Sequence, residues 1–423
     1  MIGIVGGGIS GLFLLHFLAE SGVEAVLFER AASPGGVMQS RTLTGVNGSV
    51  TVDLGPQRMR LTSGMRDLLS VLQLSNELRV APTGVPFTIY HAGSLHRAPL
   101  SLRDAAQTRL ISWSGKFRAL GDLVTSPPQG SESVSEALTR KLGSQAYRRL
   151  AGPLFGGLYA SKPEEMEARH TLIPALLRTG ARKSFLVGLF RAAKWEKTPV
   201  VSLRGGLGSL PLALAKLHRD RVRLEDPVRA IVPEAGRFRI ESDSGGIDVD
   251  QVVLSLPAPH AAEIISQSLP SLSEALGALR YNPLAVIPLV VKDGLQTPSA
   301  GSGFKMTFDD RSATRGVTAH EALFGRKGLF TAFLGGMGSE GLLELSDSEL
   351  MDLAVRDFDR VMGVEATPLI VHRTWMPGWD RTWAALDGLQ LPQGLHLCAA
   401  FSDRPGISGR LAEALRVAVQ LSA

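Results

Sequence analysis

The residues best placed to do chemistry stand at the start of the chain. Gly6-Gly7-Gly8-Ile9-Ser10-Gly11 spells G-x-G-x-x-G, and Glu29 follows 18 residues after Gly11. In such a run the first glycine permits a tight turn, the second lets backbone approach a pyrophosphate, and the third lets a helix pack closely on a strand. Unpaired N–H groups at the start of that helix attract phosphate. An acid at the end of the next strand accepts hydrogen bonds from ribose hydroxyls. A lone glycine motif is weak, because glycine-rich turns are common; its surroundings make it specific. Ile2, Ile4 and Val5 form an apolar run sized for a buried strand, Leu12 to Ser21 carries the 3.6-residue spacing of a helix, and Ala25 to Phe28 is a second buried strand. The opening unit therefore reads as a dinucleotide site.

Other reactive constellations are missing from the sequence. The nine histidines are scattered, with no H-E-x-x-H and no Cys/His cluster, so no metal is expected. No G-x-x-x-x-G-K-[ST] loop offers itself to a nucleoside triphosphate. Cys398 is the single cysteine, which excludes an internal disulfide, a Cys-x-x-Cys pair and a cysteine-ligated iron–sulfur cluster, and fits a reducing compartment. Asp309-Asp310 reads as a solvated turn. The net charge of +5 serves solubility, and also attracts anionic lipid or an acidic substrate. No basic run interleaved with aromatics points to nucleic acid, which is excluded as a partner. The first strand starts at residue 2, so no signal peptide is expected, and Pro283 to Val291, among the longest apolar runs, is only strand-sized. A cytoplasmic protein is expected.

These groups need elements to position them. At 423 residues the chain suggests two or three domains. Thr42 to Val46 and Val50 to Val52 flank the turn pair Asn47-Gly48, Met65 to Leu72 is a short helix, and Phe87 to Tyr90 pairs with Ser94 to Arg97. From about Ser101 the pattern turns helical, with helices predicted over Glu132 to Leu142, Gln145 to Leu150 and Glu164 to Leu177. Leu176 to Lys197 interleaves Arg178, Arg182, Lys183, Arg191, Lys194 and Lys197 with Phe185, Phe190 and Trp195, as a basic amphipathic segment on a lipid surface does. A core-facing helix with a solvated charged face gives the same pattern. Strands resume at Val222 to Leu224, Val228 to Val232, Phe238 to Ser242, Ile247 to Leu254, Asn282 to Val291, Thr318 to Leu323 and Leu329 to Leu334. A helix over Asp347 to Val361, a buried strand over Leu395 to Ala399 and a helix over Ile407 to Leu421 close the chain.

Several runs add up to a family likeness. Glu29-Arg30, Ser33-Pro34-Gly35-Gly36 and Asp53-Leu54-Gly55-Pro56 resemble the FAD-containing amine oxidase, carotenoid desaturase and protoporphyrinogen oxidase superfamily. Arg148 to Met166, Val52 to Arg60 and Ser202 to Leu207 look like the protoporphyrinogen oxidase branch. The resemblance implies FAD as cofactor and a mixed α/β (α+β) fold in three parts. These are a discontinuous Rossmann-like FAD domain over 1–80, 199–262 and 385–423, an antiparallel-sheet substrate domain over 81–97 and 263–384, and a helical insert over 98–198 that associates with membrane. It implies oxidation of a porphyrinogen to a porphyrin with O2 as acceptor, on a cytoplasmic membrane surface, and leaves a homodimer open.

Carried over residue by residue, Gly6, Gly8, Ile9, Ser10 and Gly11 would hold the pyrophosphate, Glu29 the adenosine ribose, and Arg30 would lie beside the adenine. Gly36 and Ser40 would approach the middle of the cofactor, and Gly55, Pro56 and Gln57 the flavin ring. Val228 would give its backbone N–H and C=O to adenine, and Ile407, Ser408 and Gly409 would set helix-dipole potential near the flavin. Arg60 stands where the family clamps a substrate carboxylate, Arg97 is a second candidate, and Trp375, Trp379 and Trp383 could wall the pocket, with buried packing the role of at least one. The chain departs from the family at Pro377-Gly378-Trp379, which Asp380-Arg381-Thr382-Trp383 follows, and in the short loop Ser402 to Gly406. Protoporphyrinogen and coproporphyrinogen both suit this pattern. The amine oxidases usually place a lysine on a substrate-domain strand beside the flavin, and Tyr281 to Val291 contains none.

Overall fold

The computed structural model describes residues 1–99, 101–194, 198–293, 300–402 and 406–422. Its first sheet is wholly parallel, in the order Val222–Arg223, Ala25–Phe28, Ile2–Val5, Gln251–Leu254, Leu395–Leu397. Every residue of Ile2–Val5 and Ala25–Phe28 is buried, as strands covered on both faces require. The helix Ile9–Glu20 buries Leu12, Phe13, Leu14, Leu15 and Leu18, and the last helix, Ile407–Ser422, packs against it through Leu411, Ala414, Val417 and Ala418. The chain's end thus returns to its beginning.

The second large sheet runs Thr367–Pro368, Tyr281–Val290, Leu329–Gly335, Thr314–Ala319, Gly303–Met306, Thr88–His91, Ser94–Arg97, with His372–Pro377 also paired to Tyr281–Val290. It is antiparallel except between Gly303–Met306 and Thr88–His91. Side chains alternate between its faces. Ala285, Ile287, Phe304, Val317, Ala332 and Leu334 form one core with Leu350, Ala354 and Phe358 of the helix Asp347–Met362. The opposite face carries Val286, Phe333, Gly316, Lys305 and Ile89, which stand opposite one another in register across five strands. Asn47, at the tip of the hairpin Ser40–Gly45/Gly48–Asp53, ties that hairpin to this sheet's edge: Nδ2 donates to the Val291 carbonyl at 2.9 Å and Oδ1 accepts from Asp293 N–H at 3.0 Å.

Four sequence expectations change. The run Ile247 to Leu254 is two strands, because Gly245–Val249 pairs antiparallel with Arg237–Ser242 while Gln251–Leu254 pairs parallel with Ile2–Val5. Asp250 at the break takes the N-terminal amine at 2.5 Å. The helix expected over Glu164 to Leu177 begins only at Leu172, since Val134 N–H donates to Met166 O and Ala168 N–H to Glu132 O, drawing that stretch out beside the start of the helix Val134–Leu142. Gln145 to Leu150 is a helix that changes from α to π pitch over Tyr147–Ala151 before continuing as Gly152–Tyr159. Thr318 to Leu323 ends as a strand at Ala319 and turns helical over Glu321–Phe324.

The insert is organised around a buried ion pair. Lys141 and Asp122 are both 0% exposed and meet at 3.0 Å. Asp122 also accepts from the Ser184 hydroxyl at 2.5 Å and from Leu186 N–H at 2.9 Å, while Lys141 donates to Thr125 Oγ1 at 3.2 Å and the Ser126 carbonyl at 3.3 Å. Three separated segments are thereby joined at two charges. Breaking one partner of a buried pair leaves the other uncompensated. Lys141→Met should therefore destabilise the protein by about 3–5 kcal/mol, read as a lower denaturation midpoint, whereas an unchanged midpoint would mean the pair carries no stability.

Candidate active site

The carboxyl ends of the parallel strands converge on the glycine turn. Gly6 sits at φ +114°, and a Cβ there would lie 2.7 Å from the Ser255 carbonyl. A Cβ on Gly11 would lie 2.1 Å from the Gly6 carbonyl. Both glycines are required by protein neighbours. Gly8 is different: its φ is −67°, and a Cβ there would meet no protein atom within 4 Å. Nothing in the protein demands a glycine there, but a ligand lying on that backbone would.

The helix Ile9–Glu20 starts at Gly8 with no side-chain cap and no acid in its first turn. Its leading N–H groups are thus left for an anion. Gly35 N–H donates to Gly7 O at 2.8 Å, and a Cβ on Gly36 (φ +57°) would lie 3.5 Å from the Gly8 Cα. A second glycine turn therefore borders the first. Glu29 accepts from Gly7 N–H and Ala31 N–H, each at 2.8 Å through a different oxygen, which aims its carboxylate and leaves lone pairs on both oxygens. This donor set suits a dinucleotide: open backbone for phosphates, an oriented acid for ribose.

Further along, Asp226 N–H donates to the Glu29 carbonyl and Glu29 N–H to the Arg223 carbonyl, which bring the chain leading to Val228 beside Glu29. Arg30 is exposed and reaches His260 Nε2 at 3.5 Å. Gly55 must be glycine, since a Cβ would lie 1.9 Å from the Val37 carbonyl. After Pro56, the Gln57 amide donates to Asp53 O at 2.9 Å and Gly55 O at 2.7 Å and accepts from Thr331 Oγ1 at 3.2 Å. The turn is thereby fastened to the face of the antiparallel sheet opposite the helix Asp347–Met362. Ser40 directs its hydroxyl to Asp53 at 2.6 Å and accepts from Gly208 N–H at 2.8 Å, so that side chain is engaged within the protein.

Arg60 donates to the Thr198 carbonyl at 2.9 Å, and its own carbonyl accepts from Ser408 Oγ at 2.8 Å, which places the start of the last helix, with Ile407, Ser408 and Gly409, beside it. Arg97 is exposed at the end of the strand Ser94–Arg97. Trp379, expected at the substrate wall, is 9% exposed and stacks on Trp383 with ring centroids 5.3 Å apart, while Trp375 is 60% exposed. The departing segment is a capped turn: Asp380 accepts from Thr382 N–H at 2.9 Å, and Gly378 accepts from Ser161 Oγ at 2.5 Å. Of the short loop from Ser402, residues 403–405 lie outside the described ones, as do Trp195, Glu196 and Lys197 of the basic segment.

Two cations were not singled out from the sequence. Arg58 directly follows Gln57, and Lys305 lies on the sheet face that Thr331 and Phe333 share. Only strand register reveals Lys305, because its neighbours in sequence, Phe304 and Met306, belong to the core.

The parallel sheet, glycine turns and oriented acid define a dinucleotide-dependent enzyme of the Rossmann-like class. The sequence profile of the flavin containing amine oxidoreductases matches residues 9–384. The chain belongs to that family; it is an oxidoreductase and its cofactor is FAD. It is 27% identical to protoporphyrinogen oxidase 1 of Arabidopsis thaliana over 402 residues, covering 85% of this chain and 74% of that protein. It is 24% identical to coproporphyrinogen III oxidase of Bacillus subtilis (strain 168) over 401 residues, covering 86% and 83%. Among solved structures, cyclohexylamine oxidase from Brevibacterium oxydans IH-35A superposes with a TM-score of 0.69 at 17% identity, covering 100% of this chain and 99% of that one, a likeness of fold.

The empty space above Gly8 yields a test. Gly8→Ala should leave the apoprotein's melting temperature unchanged while FAD content falls, measured as flavin absorbance per protein. Gly11→Ala should instead destabilise the fold itself. Full flavin content in Gly8→Ala would remove this backbone from the cofactor site.

Proposed function

We propose that the protein oxidises a porphyrinogen to the porphyrin, with protoporphyrinogen IX as substrate and O2 as the final acceptor. The observation that carries this reading is the pair of sequence relatives, both porphyrinogen oxidases by name and both matched over most of this chain. When bound, FAD supplies the hydride acceptor for a carbon bridging two pyrrole rings.

The chain's own residues bind, orient and exclude water. Gly6, Gly8, Ile9, Ser10 and Gly11 hold the pyrophosphate, Glu29 the ribose, and Arg30 and Val228 the adenine end. Gly36 and Ser40 line the middle of the cofactor through backbone, and Gly55, Pro56 and Gln57, with Ile407, Ser408 and Gly409 facing them, bracket the ring. The flat substrate then lies against the antiparallel sheet where Phe333 and Lys305 are half-exposed. Arg60 and Arg97 are the cations proposed at its acidic edges, with Trp379 in the packing behind. No protein acid or base is assigned, because hydride removal needs none in this scheme. The strand Tyr281–Val290 contains no lysine, and the sheet's Lys305 stands three strands away from it, so the amine reading lacks its lysine at the expected strand.

Anaerobic mixing with protoporphyrinogen IX should bleach the oxidised flavin band and produce porphyrin fluorescence, and readmitted O2 should restore the flavin. Coproporphyrinogen III tested in parallel settles the substrate: faster turnover of the tetracarboxylate would reassign it, and no bleaching with either would end the porphyrinogen reading.

A peripheral position on anionic membrane belongs to the same proposal. No helix among the described residues is long and apolar enough to cross a bilayer. Trp113, Phe117, Leu120, Leu123 and Val124 are exposed in one stretch of the insert, and Leu123 borders the cleft lined by Arg182, Lys183 and Arg191. Apolar side chains beside cations suit a lipid headgroup region. The protein should sediment with vesicles containing anionic lipid and be released by salt; sedimentation indifferent to lipid charge would count against it.

A further inference from the structure

We propose that Arg58 and Lys305 form a two-cation anchor that binds a carboxylate of the substrate; the proposal rests on the porphyrinogen reading above. Lys305 projects from the sheet face turned away from the helix Asp347–Met362. It stands opposite Gly316 on one neighbouring strand and Ile89 on the other. Its path is cut through two glycines. A Cβ on Gly316 would come within 2.7 Å of its stem, and a Cβ on Gly157, in the helix Gly152–Tyr159, within 2.5 Å of Nζ. At Gly316 a Cβ would also lie 2.8 Å from the Phe304 carbonyl, whereas at Gly157 it would push the flexible ammonium end aside, so sheet and insert together set where this side chain ends.

Neither head group has a partner among the described residues. Among the described residues no carboxylate lies within ion-pair distance of Lys305 or Arg58, although 21 such pairs form there. Burial holds the Lys305 ammonium down at about 8, and the charge of Arg58 adds to that effect. The Arg58 guanidinium is likewise depressed, by its surroundings and by Arg60. Arg58 is exposed and Lys305 half-buried, and two neighbouring cations that no acid offsets repel each other in the free protein. A bound anion reverses that, because each cation then gains a charge-assisted hydrogen bond.

The position suits a substrate rather than an inorganic ion. Gln57, adjacent to Arg58, is hydrogen-bonded to Thr331. Thr331 shares its face with Phe333, and Phe333 stands opposite Gly316, which stands opposite Lys305. Lys305 is therefore two strand spacings, about 10 Å, across the sheet from Phe333. A flat molecule lying over the Gly55–Gln57 turn along this face would present its edge to the anchor. A carboxylate at that edge would be held by both cations.

The test compares protoporphyrin IX with its uncharged dimethyl ester on FAD-loaded protein, with Kd read from porphyrin fluorescence. Wild type should bind the diacid more tightly than the ester. Lys305→Met and Arg58→Met should each weaken the diacid by about tenfold or more, the worth of one charge-assisted hydrogen bond, with the ester's Kd and the flavin content unchanged. Lys305→Arg should retain diacid binding. Gly157→Ala, whose methyl group would displace the ammonium, gives the same test without altering a cation and should also weaken only the diacid. Equal loss for acid and ester, or no loss for either, would overturn the anchor while leaving the porphyrinogen reading intact. Failure of wild type to bind either compound would instead overturn that reading.

Discussion

One buried carboxylate holds the two halves of the site in register. Asp53 is 1% exposed and lies at the end of the hairpin strand Gly48–Asp53. It accepts from Ser40 Oγ at 2.6 Å, from Leu207 N–H at 2.7 Å and from Arg326 at 3.2 Å. Arg326 goes on to the Leu203 carbonyl at 2.8 Å. Burial pushes the Asp53 carboxyl up, and the donors from Ser40, Arg326 and Leu207 pull against it. A charge taken out of water is tolerable only when its lone pairs are filled in this way. The donors come from the hairpin, the turn after Leu203 and the loop before the strand Leu329–Gly335. The dinucleotide unit and the antiparallel sheet are thus locked at the point where Gly55–Gln57 must pass between them. Gly206 shows how closely: at φ +82°, a Cβ there would lie 2.3 Å from Ser40 Oγ.

The opening unit was legible because its signals are local. Apolar strands, a helical period and glycines at fixed spacing all lie within one β-α-β stretch, where each residue's neighbours in space are near in sequence. The same reasoning read the centre of the strand Gly48–Asp53, as Val50 to Val52, and the closing helix. It failed where tertiary partners decide. Ile247 to Leu254 has an unbroken strand pattern, yet Asp250 hands the chain from one sheet to another. Glu164 to Leu177 has a helical period, yet the backbone of 166–168 bonds to 132–134 instead. Backbone pairing with a distant segment leaves no periodic trace.

The functional side chains divide in the same way. Glycines could be assigned from their motif, but the sequence did not distinguish those required by the protein from those left open. Gly6, Gly11 and Gly55 each press on a carbonyl, while Gly8 presses on nothing. The tryptophans, read from sequence as pocket wall or as packing, separate in the structure. Trp379 and Trp383 form a stacked pair buried with Phe401 and Leu395, the packing role, while Trp375 is exposed.

Charge in the cleft bears on which substrates the fold can take. Solved amine oxidases share this architecture at 17% identity or below, so fold alone does not discriminate. A cationic amine would have to be brought past Arg58, Arg60 and Lys305, none of which an acid of the described residues offsets. Like charges brought this close repel. An apolar ring edged with carboxylates meets the opposite situation: its acids supply the missing counter-charges and its faces fill the space between sheet and glycine turn. In the proposed reading, these cations select against one branch of the family and for the other, at positions where no catalytic group is needed.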